Sequence, residues 1–348
     1  MTNPAPILIS APGRCGIIGN PTDMYGGSVL SCSIEPRAYA LVEPADRLTL
    51  VSLGKALAIG GRDDLSLRGD VYDISKACLA ELHLYDVPIR LTVWSDIPFA
   101  SGLSSSSALV CATFKALSIY VGRTWNRYQF AEMARSIELN RMGVICGYQD
   151  FYMTSFGGLN FMDFREKEFY REVGKEPYAT IENLGADIEE LPFVLAHTGV
   201  VHSSGAVHKP IRERWLEGDK QVRDAYLRIG QLAREGKKAV LLHDWQGLAA
   251  LMTENHTIQR DLGGSGPDNE ALIDAALRHG ALSAKLAGAG GGGTIIALHP
   301  DPQWLGEKLA EAGADRILYP AVTEGVRVER ELHQAFSTEG SARRPDTV

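Results

Sequence analysis

Cysteine is scarce in this chain of 348 residues, and it is scattered. The five cysteines, Cys15, Cys32, Cys78, Cys111 and Cys146, form no Cys-x-x-Cys pair and no zinc-ligand spacing. That excludes a disulfide framework and a structural zinc site, and leaves them as small buried apolar residues in a reducing compartment. No apolar run reaches the length of a membrane span, and the N-terminus lacks the basic-then-apolar layout of a signal peptide. A soluble cytoplasmic protein with no membrane partner is the expectation. Positive charge is in deficit, 35 Lys and Arg against 43 Asp and Glu, for a net charge of −8. No basic patch carries interleaved aromatics, so nucleic acid is not an expected partner, and the acidic balance serves solubility. There is no internal repeat and no Gly-x-x-x-x-Gly-Lys-Ser/Thr loop. With 45% hydrophobic residues over this length, the chain can bury a sizeable core divided over about two domains.

What the chain does have is a serine turn. Pro98–Ala108 places Ser101, Gly102 and Leu103 before four consecutive serines, Ser104, Ser105, Ser106 and Ser107, and opens the apolar run Leu109–Tyr120. It follows a strand-like segment, Ile89–Trp94. A strand, a tight glycine turn and a helix start bring free backbone N–H groups, the positive end of a helix dipole and several hydroxyls to one point. That suits an anion, and the hydroxyls suit a hydrated Mg²⁺. A serine cluster before a helix also serves as a plain N-cap, and the turn alone does not separate the two readings.

Further strands are expected at Ala38–Val42, Leu48–Leu53, Gly157–Phe164, Phe193–Ala196, Ala281–Lys285, Thr294–Leu298 and Gly325–Val328. Helical spacing marks Asp70–Leu84, Tyr128–Leu139, Lys220–Glu235, Ala239–Glu254, Asn269–His279 and Gln303–Ala312. The charge-rich Arg165–Glu190 reads as a link between two domains, 1–185 and 186–336. The polar tail 337–348 is expected to fray.

Two other glycine-punctuated stretches accompany the serine turn. One is Ala11–Gly27, containing Pro-Gly-Arg, Cys15 and Gly-Asn-Pro-Thr-Asp-Met-Tyr-Gly-Gly. The other is Leu286–Thr294, with seven Gly and Ala residues in a row before an apolar strand. So much backbone freedom in a packed domain implies close backbone approach. In this order, over roughly residues 7 to 300, the three motifs resemble those of the GHMP kinases, the family of galactokinase, homoserine kinase and mevalonate kinase. The resemblance implies an α+β fold. An N-terminal α/β domain like ribosomal protein S5 would precede a ferredoxin-like C-terminal domain, with the active site between them.

The resemblance also implies roles. ATP phosphates would lie on Pro98, Ser101, Gly102, Leu103 and Ser104–Ser107, with Gly288, Ala289, Gly290 and Gly291 facing them from the C-terminal domain. Ser106 and Glu138, the latter on the helix after the serine turn, would hold Mg²⁺, with Ser105 or Ser107 able to share the role. Asp150, in Gly147-Tyr-Gln-Asp-Phe, would be the catalytic carboxylate. Arg14 is either a catalytic and substrate-facing cation or a buried structural one. A carboxylate beside the acceptor hydroxyl orients it and takes its proton, and the rest of phosphoryl transfer is positioning and charge neutralisation.

The acceptor is read from the first motif. By resemblance Asn20, Asp23, Tyr25 and Gly26 would bind it, together with Arg14, Asp150 and Gly290. Galactokinase-like sequences carry Glu where Asn20 stands and His where Pro21 stands, and Met24 is an insertion that shifts Tyr25. An amide in place of the carboxylate can donate to a uronic acid, unless the change is neutral drift. The motif context, including Gly157–Phe164 and Arg212–Asp219, resembles the glucuronokinase branch of the family, which phosphorylates D-glucuronate at its anomeric oxygen. Arg212 and Arg214 face either substrate or solvent. His202, His208 and Lys209 lie where the family often has a lid. The resemblance thus implies an ATP- and Mg²⁺-dependent sugar 1-kinase, a monomer or homodimer. Kinases of other small sugars, or an inactive sugar or ATP sensor, are the alternatives.

Overall fold

The computed structural model describes residues 5–167, 177–186, 188, 190–200, 204–288, 290 and 292–329, with backbone alone over 204–209. Among these residues two antiparallel-dominated sheets carry the chain.

The larger sheet has eight strands: β1 (Ile7–Ile18), β2 (Ser28–Pro44), β3 (Thr49–Ser52), β4 (Lys55–Ala58), β5 (Ile89–Ser95), β6 (Leu159–Asp163), β7 (Thr180–Asn183) and β12 (Arg327–Val328). Their order is β12-β1-β2-β5-β3-β4, with β6 and then β7 added alongside β2. The long β2 makes this possible. Its Ser28–Cys32 half pairs with β6, its Ala38–Pro44 half pairs with β5, and β1 runs along its other edge.

The hydrophobic pattern marks only the second half of β2, at Ala38–Val42, and no strand in the first glycine motif. In the structure that motif's first half lies inside β1, with irregular register between Pro12 and Arg14 and between Gly16 and Ile18. A hydrophobic period interrupted by Pro, Gly and Arg hides such a strand, because bulges break the alternation.

Helix α1 (Asp73–Glu81), α2 (Ser105–Tyr120), α3 (Arg127–Ser136) and α4 (Gln149–Phe156) cover this sheet. Helix α2 is apolar nearly all round, and Ala108, Val110, Cys111, Ala112, Phe114, Ala116 and Leu117 are all fully buried. Each large side chain buried this way contributes roughly 1.5–3 kcal/mol, so the serine turn at its start rests on an anchored element. An Asn126–Gln129 capping box starts α3. The expected Tyr128–Leu139 helix ends early as an α-helix: Ile137–Arg141 form a π-type turn, with the Met142 N–H donating to the Ile137 carbonyl.

The second sheet is β11-β8-β10-β9, built from β8 (Phe193–His197), β9 (Ser283–Leu286), β10 (Thr294–Leu298) and β11 (Arg316–Leu318), all antiparallel. In chain order this is 4-1-3-2, the ferredoxin-like arrangement the resemblance implied. Helices α5 (Ser204–Leu216), α6 (Lys220–Leu241), α7 (Trp245–Asp261) and α8 (Pro267–Arg278) connect β8 to β9, and α9 (Pro302–Glu311) connects β10 to β11. The boundary expected between helices near residue 235 falls instead at Leu242–Asp244, where the Asp244 side chain caps α7. One further expectation is corrected. Strand β12 was assigned to the second unit, but Val328 and Arg327 pair with Ile9 and Ser10 of β1 in the first sheet. Arg37 fastens this return, donating to the Glu324 and Gly325 carbonyls at 2.9 and 2.7 Å. No helix among the described residues is long and apolar enough to cross a membrane. All five cysteines are free, four of them buried.

Candidate active site

Strand β1 meets both glycine loops. Its Arg14 N–H donates to the Leu103 carbonyl at 3.1 Å, and its Gly16 N–H donates to the Ala287 carbonyl at 2.9 Å. Side chains would forbid this. A Cβ on Gly13 would stand 2.8 Å from the Leu103 oxygen, and one on Gly16 would stand 2.7 Å from Asn20 Oδ1. The loops also touch each other, since a Cβ on Gly288 would lie 2.5 Å from the Gly102 oxygen. The glycines at 13, 16 and 288 thus draw the serine turn and the third motif, from different sheets, onto one strand.

At this junction lies Arg14, buried. Its Nε donates to Asp150 Oδ1 at 2.7 Å, and its Nη1 donates to the Gly102 carbonyl at 2.5 Å. The second guanidinium nitrogen stands 2.5 Å from the same carboxylate oxygen. Arg14 therefore fixes Asp150 relative to the serine turn. Asp150 is in the first turn of α4, with its side chain one-fifth exposed.

Beside it is Glu138, buried in the π-type turn after α3. Ser106 Oγ donates to Glu138 Oε1 at 2.7 Å, and Ser107 Oγ donates to Oε2 at 3.3 Å. Burial pushes the Glu138 carboxyl up to about 7, Asp150 adds to the rise, and the two hydroxyls oppose it. π-type turns recur at functional sites because they displace one side chain from the helical register.

The plain-cap reading of the serines does not hold. Ser104, the residue before α2, has φ 64° and makes no side-chain cap hydrogen bond. Its hydroxyl is buried without a partner. Ser101 closes the loop on itself through the Pro98 carbonyl at 2.7 Å. Ser105 reaches only its neighbours, Ser95 Oγ at 3.4 Å and the Ile97 carbonyl at 3.5 Å. Among the described residues no side chain caps the first-turn N–H groups of α2, which suits an anion. A buried carboxylate met only by two hydroxyls equally suits a divalent cation completed by phosphate oxygens and water. Among the described residues no group of three or more His, Cys, Asp or Glu could hold a metal alone. Ser106 and Glu138 with phosphate oxygens therefore fit Mg²⁺ better than a metal caged by protein ligands.

The residues expected to bind the acceptor are held mainly by other parts of the chain. Asn20, 2% exposed, engages the second unit with both ends of its amide. Its Nδ2 donates to the Gly288 carbonyl at 3.0 Å, and its Oδ1 accepts from Lys285 Nζ at 3.0 Å. It ties the two units together. Tyr25 packs between Trp215 and Tyr226, at 5.0 and 4.7 Å between ring centres. Asp23 is buried against the start of α4, accepting from the Tyr148 and Gln149 N–H groups and from Gln149 Nε2 at 2.7, 3.0 and 3.2 Å. Gly26 ends the short turn after Tyr25 with φ 73°. Gly290, with φ 90°, abuts the Gly264 carbonyl, and Asn269 brackets Gly292 through both its backbone polar groups. Arg214 pairs with Asp219 at 2.7 Å on the surface. Ala289, Gly291 and His202 lie outside the described residues, as do the side chains of His208 and Lys209.

Lys285 was missed by sequence reasoning, which saw only a strand position. Its amine is fully buried, with the Asn20 and Leu286 oxygens as its partners. Burial pushes it down to about 7. In the unfolded chain it titrates at its ordinary, higher value, so the unfolded state binds more protons between these two pH values. Stability contributed here is therefore lost as pH falls towards 7 and regained as pH rises. From pH 7 to 8.5, denaturant unfolding should show stability rising by up to ~1.4 kcal/mol per pH unit from this group. Lys285→Met should flatten that rise, and identical slopes in the two proteins would contradict it.

Comparison with known proteins agrees with this architecture. Residues 71–158 match the GHMP kinases N terminal domain, residues 237–315 the GHMP kinases C terminal domain, and residues 2–44 the galactokinase galactose-binding signature. Glucuronokinase 1 of Arabidopsis thaliana is 30% identical over 301 residues, which cover 80% of this chain and 81% of that protein. Among solved structures, Lactococcus lactis galactokinase complexed with galactose superposes with a TM-score of 0.77 at 17% identity, covering 93% and 95% of the two chains. The Methanococcus jannaschii mevalonate kinase gives 0.70 at 17% identity, covering 94% and 99%.

Proposed function

Because the chain belongs to the GHMP kinases, which take their phosphate from ATP, we propose that it phosphorylates the anomeric hydroxyl of a uronic acid, D-glucuronate, to give the 1-phosphate. The observation that carries the chemistry is the Arg14–Asp150 pair bonded to the carbonyl of Gly102 in the serine turn. In this reading the phosphates lie on the N–H groups of Ser104–Ser107 at the start of α2, with the helix dipole behind them. Asp150 accepts a hydrogen bond from the sugar's C1 hydroxyl. That oxygen bonds to the γ-phosphorus as the bond to the β–γ bridging oxygen breaks, ADP leaves, and the proton passes to the Asp150 carboxylate. Arg14 holds Asp150 in place and adds positive charge near the transferring group. Ser106 and Glu138, with Ser107 behind them, would hold Mg²⁺, which when bound neutralises phosphate charge.

The acceptor rests on the likeness to plant glucuronokinases across four-fifths of the chain. A neutral sugar of the galactose type is the second reading, favoured by the signature matched over residues 2–44. An ADP-release assay over glucuronate, galactose, arabinose, a heptose and mevalonate decides between them. The expected outcome is the highest kcat/KM on glucuronate. Turnover of galactose or mevalonate with none on glucuronate overturns the substrate.

A further inference from the structure

We propose that Asp23, in the motif expected to grip the sugar, is instead a positioning residue that holds the first turn of α4 and thereby sets Asp150. This rests on the reading of Asp150 as the proton acceptor. Both oxygens of Asp23 are taken up by α4. Oδ2 accepts from the Tyr148 N–H at 2.7 Å and the Gln149 N–H at 3.0 Å, and Oδ1 accepts from Gln149 Nε2 at 3.2 Å. These are the residues immediately before Asp150. A carboxylate at a helix start satisfies N–H groups that have no partner within the helix, and it opposes the helix dipole.

The approach is built in. A Cβ on Gly147 would fall 2.1 Å from Asp23 Oδ2, so only glycine lets the carboxylate reach the two amides. The same turn is gripped from its other side. The Tyr148 ring lies under the Arg135 guanidinium at 3.8 Å and near the Lys167 amine at 4.8 Å. Lys167 in turn pairs with Glu132 at 2.6 Å. At 1% exposure, Asp23 offers little to a ligand.

The titratable groups facing Asp23 are Asp150 on α4, Arg14 on β1, Tyr226 on α6 and Cys146 in the loop before α4. Burial pushes the Asp23 carboxyl up to about 6; Asp150 adds to the rise, while the two α4 amides and Arg14 oppose it. Protonation on the acid side would weaken its hold on those amides.

The test is steady-state kinetics of Asp23→Ala and Asp23→Asn with the sugar that the wild type turns over best. A displacement of about 1 Å at a reacting group can lower a rate about 10²-fold, so Asp23→Ala should lower kcat by about that factor with the sugar KM within ~3-fold. Asp23→Asn retains an acceptor for the two amides but cannot be protonated, so with Mg²⁺ saturating at each pH, which suppresses the competition at Glu138, the fall of kcat near pH 6 should be smaller than in the wild type. A raised KM with unchanged kcat in Asp23→Ala would make Asp23 a sugar contact and overturn the proposal. So would unchanged kinetics. If Asp23→Ala does not fold, Asp23→Asn carries the test alone, and an acid limb equal to wild type overturns it. Asp150→Asn in parallel separates the failures. Normal turnover there overturns the Asp150 assignment itself. An inactive Asp150→Asn beside a fully active Asp23→Ala overturns only the role of Asp23.

Discussion

Asp150→Asn should lower kcat by about 10²- to 10⁴-fold, the range a positioned general base contributes. The substitution is nearly isosteric, and the remaining amide oxygen can still accept from Arg14, which donates to Asp150 Oδ1 at 2.7 Å. Asp150 is itself partly exposed, but Arg14 is buried and loses its ionic partner, so the melting temperature should fall alongside the much larger loss of turnover. Nucleotide affinity should change less than turnover, because among the described residues no hydrogen bond joins Asp150 to Ser104–Ser107. Coupled ADP release with differential scanning fluorimetry checks all three. Turnover within about threefold of wild type would remove Asp150 from the reaction.

Glu138→Gln should have the second-largest effect. Two serine hydroxyls donate to this buried carboxylate, and no cation among the described residues pairs with it. An amide preserves the size but removes the negative charge a divalent cation needs. We expect kcat to fall by ~10²-fold or more, and the Mg²⁺ concentration for half-maximal rate to rise, since a metal supplies several kcal/mol of charge stabilisation in such transfers. The pH dependence has a definite sign. Because burial holds the Glu138 carboxyl at about 7, protonation below that value competes with the metal. The Mg²⁺ requirement of the wild type should therefore increase as pH falls from 8 to 6. In Glu138→Gln that dependence should be absent. Magnesium titrations at three pH values decide it, and a wild-type requirement that does not vary with pH would contradict the assignment. The Gln amide oxygen can still accept from one serine while its NH2 faces the other hydroxyl's oxygen, so replacing the buried carboxylate should leave thermal stability unchanged or raised.

Chain order carried much of the architecture. Ile89–Ser95, the glycine turn and α2 were legible because an apolar strand, a breaker and an apolar helix follow one another without interruption. The ferredoxin-like sheet was legible through the family resemblance, and its strands β8, β9 and β10 lie within a few residues of where hydrophobic runs put them. Strand β1 and the first half of β2 were not legible, because glycine, proline and arginine interrupt the alternation at bulges. The π-type turn at Glu138 was hidden for a related reason: the hydrophobic spacing of a helix continues through it.

The site itself divides along the same line. Ser106, Glu138, Asp150 and Arg14 were picked out by the family resemblance, and in the structure Arg14 and Asp150 join the serine turn while Ser106 bonds Glu138. What each side chain meets was decided by tertiary structure. Asn20 and Asp23 carry the same polar atoms in either role, but pairing with Lys285 and Gly288, or with the amides of Tyr148 and Gln149, depends on chain segments more than 120 residues away. A sequence specifies donors and acceptors. Only packing, here made possible by glycines 13, 16, 147 and 288, determines which of them meet.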